Sequence, residues 1–110
     1  MGIKKVWYRV ADAADIAPGA GLKVKVGTDD DCAVFRTVSG EFYAAGILCP
    51  HQNELLDRGR LEECEVICRR HHLRFDLRSG NCTNACGYSL RTFELREEFG
   101  EIFVARWEDE

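Results

Sequence analysis

Short runs of apolar residues at both ends of the chain predict β-strands rather than helices. Residues 6–10 form one such run, and Leu22, Val24 and Val26 alternate with lysines in a second. A period of two is typical of a strand with one buried face. Between these runs, residues 12–16 predict a short turn or a single helical turn.

A first hairpin is predicted in the following segment, which opens with three aspartates. Residues 29–31 indicate a solvated turn. Residues 32–38 and 41–45 then flank Ser39 and Gly40, and a connection of two residues is a length that hairpins favour.

A second hairpin is predicted near the C-terminus, where residues 90–95 and 101–107 lie on either side of Gly100. The candidates for its inward faces are Phe93, Leu95, Ile102 and Val104. Several short strands at close spacing indicate an all-β fold, a small antiparallel sandwich or barrel. The length of 110 residues predicts a single domain, residues 1–110.

The pattern changes over residues 46–87, which hold five of the six cysteines and all three histidines. Within this stretch only residues 65–68 and 73–77 resemble strands. A connection of this length with little regular structure usually exists for function. We therefore expect residues 46–87 to be a site-bearing subdomain inserted into the β-fold.

Composition narrows the classes of partner and compartment. The net charge of -4 and the pI of about 5.4 do not indicate a basic surface that would bind nucleic acid or an anionic membrane. The sequence contains neither a signal-peptide core nor an apolar run of membrane-spanning length. These features predict a cytoplasmic protein, and cytosolic cysteines are more often metal ligands or buried thiols than disulfide partners.

Two pairs of residues carry the candidate chemistry, Cys49-Pro50-His51 and Cys68-Arg69-Arg70-His71, separated by sixteen residues. Two thiolates and two imidazoles suit either tetrahedral zinc or a mixed-ligand iron–sulfur centre. Structural zinc modules normally open with two ligands separated by two to four residues, so the one-residue gap in the first pair favours the iron–sulfur interpretation.

The spacing Cys-x-His, sixteen residues, Cys-x2-His resembles the Rieske iron–sulfur motif, and residues 75–80 resemble the segment that follows it in Rieske ferredoxins. The resemblance implies one Rieske-type 2Fe-2S cluster, with Cys49 and Cys68 on one iron and His51 and His71 on the other. It also implies an all-β Rieske domain in which residues 46–87 form the cluster-binding subdomain.

The resemblance points to the low end of the Rieske potential range. High-potential members add a cysteine to each loop and join the two by a disulfide, whereas this chain has Glu54 and Arg70 there. They also place a serine after the second histidine, where this chain has His72 and Leu73. Ligation by two neutral imidazoles still raises the potential above that of an all-thiolate cluster, because the centre carries less negative charge.

These features predict an electron carrier rather than an enzyme. We expect it to take one electron at a time from a flavin-containing reductase and to deliver it to a terminal oxygenase acting on aromatic hydrocarbons, either a ring-hydroxylating dioxygenase or a diiron monooxygenase. The carrier is expected to be a monomer without membrane or nucleic-acid partners. A docking rim is predicted around the cluster from Pro50, Gln52, Arg69, Arg70 and His72.

Two alternatives stay open. One is the small Rieske-like subunit of assimilatory nitrite reductase, which would co-purify with a large sirohaem protein. The other is a structural zinc module for protein interaction, which would be colourless and would contain no sulfide.

The remaining cysteines have no role in the predicted centre. Cys32 lies in a strand pattern and is expected to be a buried free thiol. Cys64 lies among carboxylates, which disfavour its thiolate. Cys82 and Cys86 could join a metal site or form a labile disulfide, but for a cytosolic protein we expect them to be loop or packing thiols. Cys82 directly precedes residues 83–88 and Cys86 lies within them; by resemblance this is the segment that covers the cluster in Rieske domains, and here it contains no proline.

Overall fold

The computed structural model describes residues 2–28, 30–50, 55–69, 72–84 and 86–109, and antiparallel β-strands make up just over half of these residues. The strands of this described part are β1 (Ile3–Asp12), β2 (Ala20–Val26), β3 (Asp30–Arg36), β4 (Phe42–Gly46), β5 (Arg60–Glu62), β6 (Glu65–Ile67), β7 (Arg74–Asp76), β8 (Thr92–Phe93), β9 (Leu95–Glu98) and β10 (Glu101–Asp109). Two 3-10 turns lie at Ala13–Asp15 and Leu56–Arg58. The all-β prediction and the helical turn after β1 are confirmed.

The strands of the described residues form three sheets, with the orders β1-β10-β9, β2-β3-β4-β8 and β5-β6-β7. The first two sheets enclose one apolar core, to which β3 contributes Val34 and β10 contributes Ile102 and Val104. Phe93 and Leu95 pack against this core, as the sequence predicts for the C-terminal segment. This arrangement buries one face of the four-stranded sheet.

The other face of the four-stranded sheet carries a second core. Successive side chains of a strand point to opposite faces, so Ala33 and Phe35 of β3 leave the first core and pack with Val66 and Phe75 of the third sheet. The third sheet therefore lies against the central one. Its strands fall within residues 46–87, while the assignment of that range as a cluster-binding subdomain stays a prediction.

The C-terminal hairpin differs from its prediction. Residues 90–95 do not form one strand, because β8 pairs with β4 and β9 pairs with β10. The break falls at Glu94, whose carbonyl oxygen accepts a hydrogen bond from the Ala105 N–H at 3.0 Å. The segment thus crosses from the central sheet to the first one.

Strand β5 is not predicted by the sequence. It is three residues long and two of its side chains are charged, so it lacks the apolar pattern that indicates a strand.

The prediction of a solvated turn at residues 29–31 is wrong for two of its three members. Asp30 and Asp31 begin β3, and Asp29 lies outside the described residues. Asp31 is paired with Lys25 across β2 and β3, with the ammonium 3.0 Å from the carboxylate. Pairing of opposite charges across strands is a small favourable term that lets aspartates enter a strand.

The β3–β4 hairpin is confirmed, but its connection covers residues 37–41 instead of two residues. The Thr37 hydroxyl is buried and accepts a hydrogen bond from the Glu41 N–H at 3.0 Å, while the Thr37 N–H donates to the Glu41 carbonyl at 2.8 Å. The Thr37 side chain therefore closes the five-residue turn.

A glycine turn ties the third sheet to the strand leading into β8. Gly80 has a φ of +81°, a region that L side chains rarely adopt. Its N–H donates to the Asp76 carbonyl and its carbonyl accepts from the Leu90 N–H, both at 2.7 Å. A Cβ at this position would lie 2.1 Å from the Leu90 carbonyl oxygen. Only glycine fits this close approach.

Within the described ranges, the structure has no helix long and apolar enough to cross a membrane.

We expect Gly80→Ala to lower the free energy of unfolding by about 3 kcal/mol or more, because backbone strain and a backbone clash add together. Gly100→Ala is a matched control: its φ is +79°, and a Cβ there would meet nothing within 4 Å. The control should lose only about 1 kcal/mol. Urea unfolding of both holoproteins measures the difference. Equal losses of unfolding free energy in the two variants would show that the Leu90 carbonyl does not exclude a side chain at position 80.

Candidate metal centre

The first predicted ligand pair begins a short loop that is closed at its base. β4 ends at Gly46, and Leu48 forms an isolated β-bridge with Leu55. The Ile47 carbonyl accepts a hydrogen bond from the Leu56 N–H at 2.7 Å. Because these contacts join the two ends of the loop, Cys49 is held at a fixed position directly after the bridge.

The second pair begins a loop of the same kind at the end of β6, which finishes at Ile67. The Cys68 N–H donates to the Leu73 carbonyl at 2.9 Å, and the His72 N–H donates to the Cys68 carbonyl at 3.0 Å. His72 has a φ of +57°, so the chain reverses at this residue and enters β7. Backbone hydrogen bonds therefore fix Cys68 itself and, at the first loop, the residues that precede Cys49.

Both cysteines are buried, Cys49 at 0% and Cys68 at 1% relative exposure, and both belong to the second core. Neither Cys49 nor Cys68 belongs to a disulfide. Two buried sulfurs in one apolar cluster, each at the base of a closed loop, fit the thiolate half of a Rieske ligand set. An apolar shell around such sulfurs also limits solvent access.

The imidazole half of the predicted set consists of His51 and His71. His51 and His71 fall outside the described residues. Within the described ranges, no three histidine, cysteine or acidic side chains come together to hold a metal ion. The four-residue assignment of Cys49, His51, Cys68 and His71 therefore stays a prediction.

The surface beside Cys68 combines an apolar floor with cationic side chains. A small cavity of about 180 Å³ is lined by Arg60, Ile67, Cys68, Arg69 and His72. Arg69 and His72 are exposed, and Arg69 forms no ion pair with any residue that the structure describes. Pro50, also in the predicted docking rim, is exposed, while Gln52 and Arg70 lie outside the described residues.

The prediction that Cys82 and Cys86 are unpaired is wrong, because the structure joins them by a disulfide with their Cα atoms 6.0 Å apart. The sequence signal was the Cys-x3-Cys spacing, and the expectation of a reducing compartment outweighed it. Both residues are partly buried and pack against the core that contains Cys49 and Cys68. The disulfide therefore lies beside the predicted centre.

The prediction for Cys32 is confirmed, while that for the Cys64 thiolate stays a prediction. Cys32 is a free, fully buried thiol, and this burial raises its pKa to about 12. Cys64 is free and partly exposed, with its sulfur 3.8 Å from the Tyr43 hydroxyl. Neither belongs to the loops that carry the predicted ligands.

We expect Cys49→Ser and Cys68→Ser each to abolish cluster binding, because each removes one thiolate that the fold holds in place. Cys64→Ser, at a partly exposed thiol outside both loops, is the matched control and should retain the cluster. Visible absorbance together with iron and acid-labile sulfide content measures the loss. Normal iron and sulfide in either ligand variant would contradict the assignment.

Residues 6–94 match the family model described as the Rieske [2Fe-2S] domain. The chain is 38% identical over 92 residues to the ferredoxin component of the p-cumate 2,3-dioxygenase system of Pseudomonas putida, a match that covers 82% of this chain and 77% of the relative. The region matched by the family model includes all four predicted ligands.

Two solved structures share the fold over nearly the full chain. An NADH-dependent nitrite reductase small subunit from Mycobacterium tuberculosis superposes with a TM-score of 0.86 at 25% identity, covering 94% of this chain and 96% of that one. A chain from the complex of oxygenase and ferredoxin in carbazole 1,9a-dioxygenase superposes with a TM-score of 0.78 at 30% identity, covering 90% and 92%.

Proposed function

The chain belongs to the Rieske [2Fe-2S] domain family, and from this premise we propose that it is a ferredoxin carrying one electron at a time from a flavin-containing reductase to a terminal oxygenase. The proposed oxygenase acts on an aromatic hydrocarbon. It is either a ring-hydroxylating dioxygenase or a diiron monooxygenase. The protein itself is an electron-transfer component and not a catalytic subunit.

The observation that carries this proposal is the pair of buried cysteines, Cys49 and Cys68, that share one core at the bases of two closed loops, in a chain with 38% identity to a dioxygenase ferredoxin component. The proposed ligands are these two thiolates with His51 and His71. When bound, a cluster of this type supplies one-electron exchange. With four protein ligands filling the iron sites, it leaves no open position for a substrate.

On the side that faces the second core, the chain's own residues exclude water from the site and hold it in position. Phe75 and Leu56 are fully buried in the core around Cys49 and Cys68, so water is excluded behind the thiolates. The Cys68 N–H is already bonded to the Leu73 carbonyl. These contacts reduce the reorganisation of the protein when the charge at the site changes, as a carrier requires.

A low reduction potential is part of the proposal. His72 and Leu73 stand where high-potential Rieske proteins have a serine that donates a hydrogen bond to a cluster sulfide. Loss of such a donor removes stabilisation of the reduced state. Arg69 acts in the opposite direction, since a nearby cation favours the added electron.

The proposed docking surface consists of the exposed residues around the loop that begins at Cys68. Arg60, Arg69 and His72 line a cavity whose floor is formed by Ile67 and Cys68. The exposed guanidinium of Arg69, which forms no ion pair with the described residues, fits a partner that presents carboxylates. Brief electron-transfer encounters bury little surface and depend on charge for orientation, so an acidic partner surface and salt-sensitive turnover are proposed.

We also propose a cytoplasmic monomer. The net charge of -4 gives no general attraction to nucleic acid or anionic lipid.

One alternative has an observation in its favour. The superposition on a nitrite reductase small subunit, with a TM-score of 0.86, makes the small subunit of an assimilatory nitrite reductase a second candidate. That function would require a stable complex with a sirohaem subunit rather than brief encounters.

Reconstitution tests the proposed function against this alternative. We expect a flavin-containing dioxygenase reductase and NADH to reduce the holoprotein by one electron per chain, measured by anaerobic titration at visible wavelengths. The reduced protein should then sustain turnover of an aromatic-ring dioxygenase and elute as a monomer in size exclusion. A colourless protein holding zinc, or stable co-elution with a sirohaem nitrite reductase subunit, would contradict the proposal.

Neutralising the docking surface should slow transfer without changing the cluster. We expect Arg69→Gln to lower kcat/KM for the oxygenase by about threefold, the size of one exposed charge contact, and Arg69→Glu to lower it further. Lys23→Gln removes the same charge from an exposed position on β2 and is the matched control. Assays at low and at high salt should show the Arg69 effect shrinking as salt rises. Equal effects of Arg69→Gln and Lys23→Gln would contradict the assigned surface.

A further inference from the structure

The disulfide between Cys82 and Cys86 closes a small loop on the chain that follows β7. Cys82 forms an isolated bridge with Phe75 of β7, and the Cys86 N–H lies 3.2 Å from the Cys82 sulfur. Neither cysteine is in a position predicted to bind iron. The disulfide is thus separate from the ligand set, although it packs against the same core.

Asn84, which lies inside this loop, connects it to the segment after the second ligand loop. Its side-chain Nδ2 donates to the His72 carbonyl at 3.0 Å, and its Oδ1 accepts from the Arg74 N–H at 3.2 Å. The Thr83 N–H also donates to the Arg74 carbonyl at 2.9 Å. The loop therefore holds residues 72–74 by three hydrogen bonds.

The segment held by Asn84 continues directly into the predicted ligand loop. His72, whose carbonyl accepts from Asn84, donates its own N–H to the Cys68 carbonyl. Arg74 is fixed from the other side, with its guanidinium 3.0 Å from Glu65 and 2.5 Å from Glu62. A continuous set of contacts thus runs from the disulfide through Asn84 to the backbone at Cys68.

We propose that the Cys82–Cys86 pair is a thiol-redox switch that controls how firmly the second ligand loop is held, and thereby how well the iron–sulfur centre is protected. The oxidised pair keeps Asn84 placed on residues 72–74. Reduction to two thiols releases this constraint and exposes the centre to chelators. The proposal rests on the proposed assignment of Cys68 and His71 as ligands.

The chemistry of the switch is thiol–disulfide exchange with an external dithiol. A thiolate of the dithiol attacks one sulfur of the pair, the bond between Cys82 and Cys86 breaks, and a mixed disulfide forms. The second thiol of the reductant then attacks the mixed disulfide. The pair gains two electrons and two protons, and the dithiol loses both and becomes a disulfide. The reductant is a small dithiol or a dithiol protein.

Exposure and compartment both favour a reversible pair. Cys82 and Cys86 are only partly buried, and Thr83 and Asn84 between them are exposed, so a reductant can approach. In the cytoplasm, where the proposed function places the protein, disulfides are usually transient and serve catalysis or redox sensing. A ring of five residues also stabilises the fold little compared with a long cross-link, which argues against a purely structural role.

Peptide mapping and cluster release test the switch on the holoprotein. Alkylation before and after dithiothreitol, followed by mass spectrometry, should find Cys82 and Cys86 blocked before reduction and labelled after it. Visible bleaching in an excess of ferrous-iron chelator should accelerate about tenfold after reduction, since loss of a hydrogen bond or two shifts an equilibrium by that order. Neither readout requires a reductase or an oxygenase.

Three variants separate the switch from general effects of the reductant. Cys82→Ser with Cys86→Ser should bleach at the fast rate with or without dithiothreitol. Asn84→Ala should bleach fast while the disulfide stays intact, and Cys64→Ser, the matched thiol control, should behave as the parent. If the double variant does not load a cluster, Asn84→Ala and the reduced parent still provide the comparison.

Two results would overturn the proposal. One is alkylation of Cys82 and Cys86 in the holoprotein before any reductant is added. The other is bleaching at one rate in the parent, in the reduced parent and in Asn84→Ala. Failure of electron transfer with unchanged mapping and bleaching would instead count against the proposed function.

Discussion

Burial of the central sheet on both faces is the constraint on which the rest of the structure depends. Side chains on β3 alternate between two cores, Val34 facing one and Phe35 the other, and both are fully buried. One face packs on the sheet formed by β1, β10 and β9, and the other packs on the third sheet with Cys49 and Cys68. The thiols therefore belong to the tertiary core, and the protein cannot place them independently of its packing.

This arrangement explains how short loops acquire fixed positions. Each loop with a predicted ligand leaves a strand that is anchored in the second core, β4 for Cys49 and β6 for Cys68. Backbone hydrogen bonds then close each loop at its base, where burial makes an unpaired polar group costly. The position of these loops at the edge of the second core has two consequences. Apolar side chains pack against the cysteines on the inner side, and charged side chains lie exposed on the outer side. A carrier needs both, a shielded centre and an accessible surface.

The strands and the thiol pair could be predicted from the sequence because their signals are local. Alternation at Leu22, Val24 and Val26 reflects a buried face, and the spacing from Cys49 to Cys68 carries the family motif. The break at Glu94 could not be predicted, because it depends on a hydrogen bond from Ala105 on another strand. Asp30 and Asp31 likewise enter β3 through partners that only the folded chain brings near.

The disulfide shows where reasoning from compartment alone fails. The cytosol lowers the average stability of disulfides, but it does not decide the state of a particular pair whose geometry the fold imposes. Here Phe75 pairs with Cys82 and Asn84 bonds to both His72 and Arg74, so the loop is held in a conformation that brings the two sulfurs together. The same contacts couple that loop to Cys68. The proposed influence of this cysteine pair on the predicted ligand Cys68 therefore depends on one short segment, residues 72–74, which contacts both.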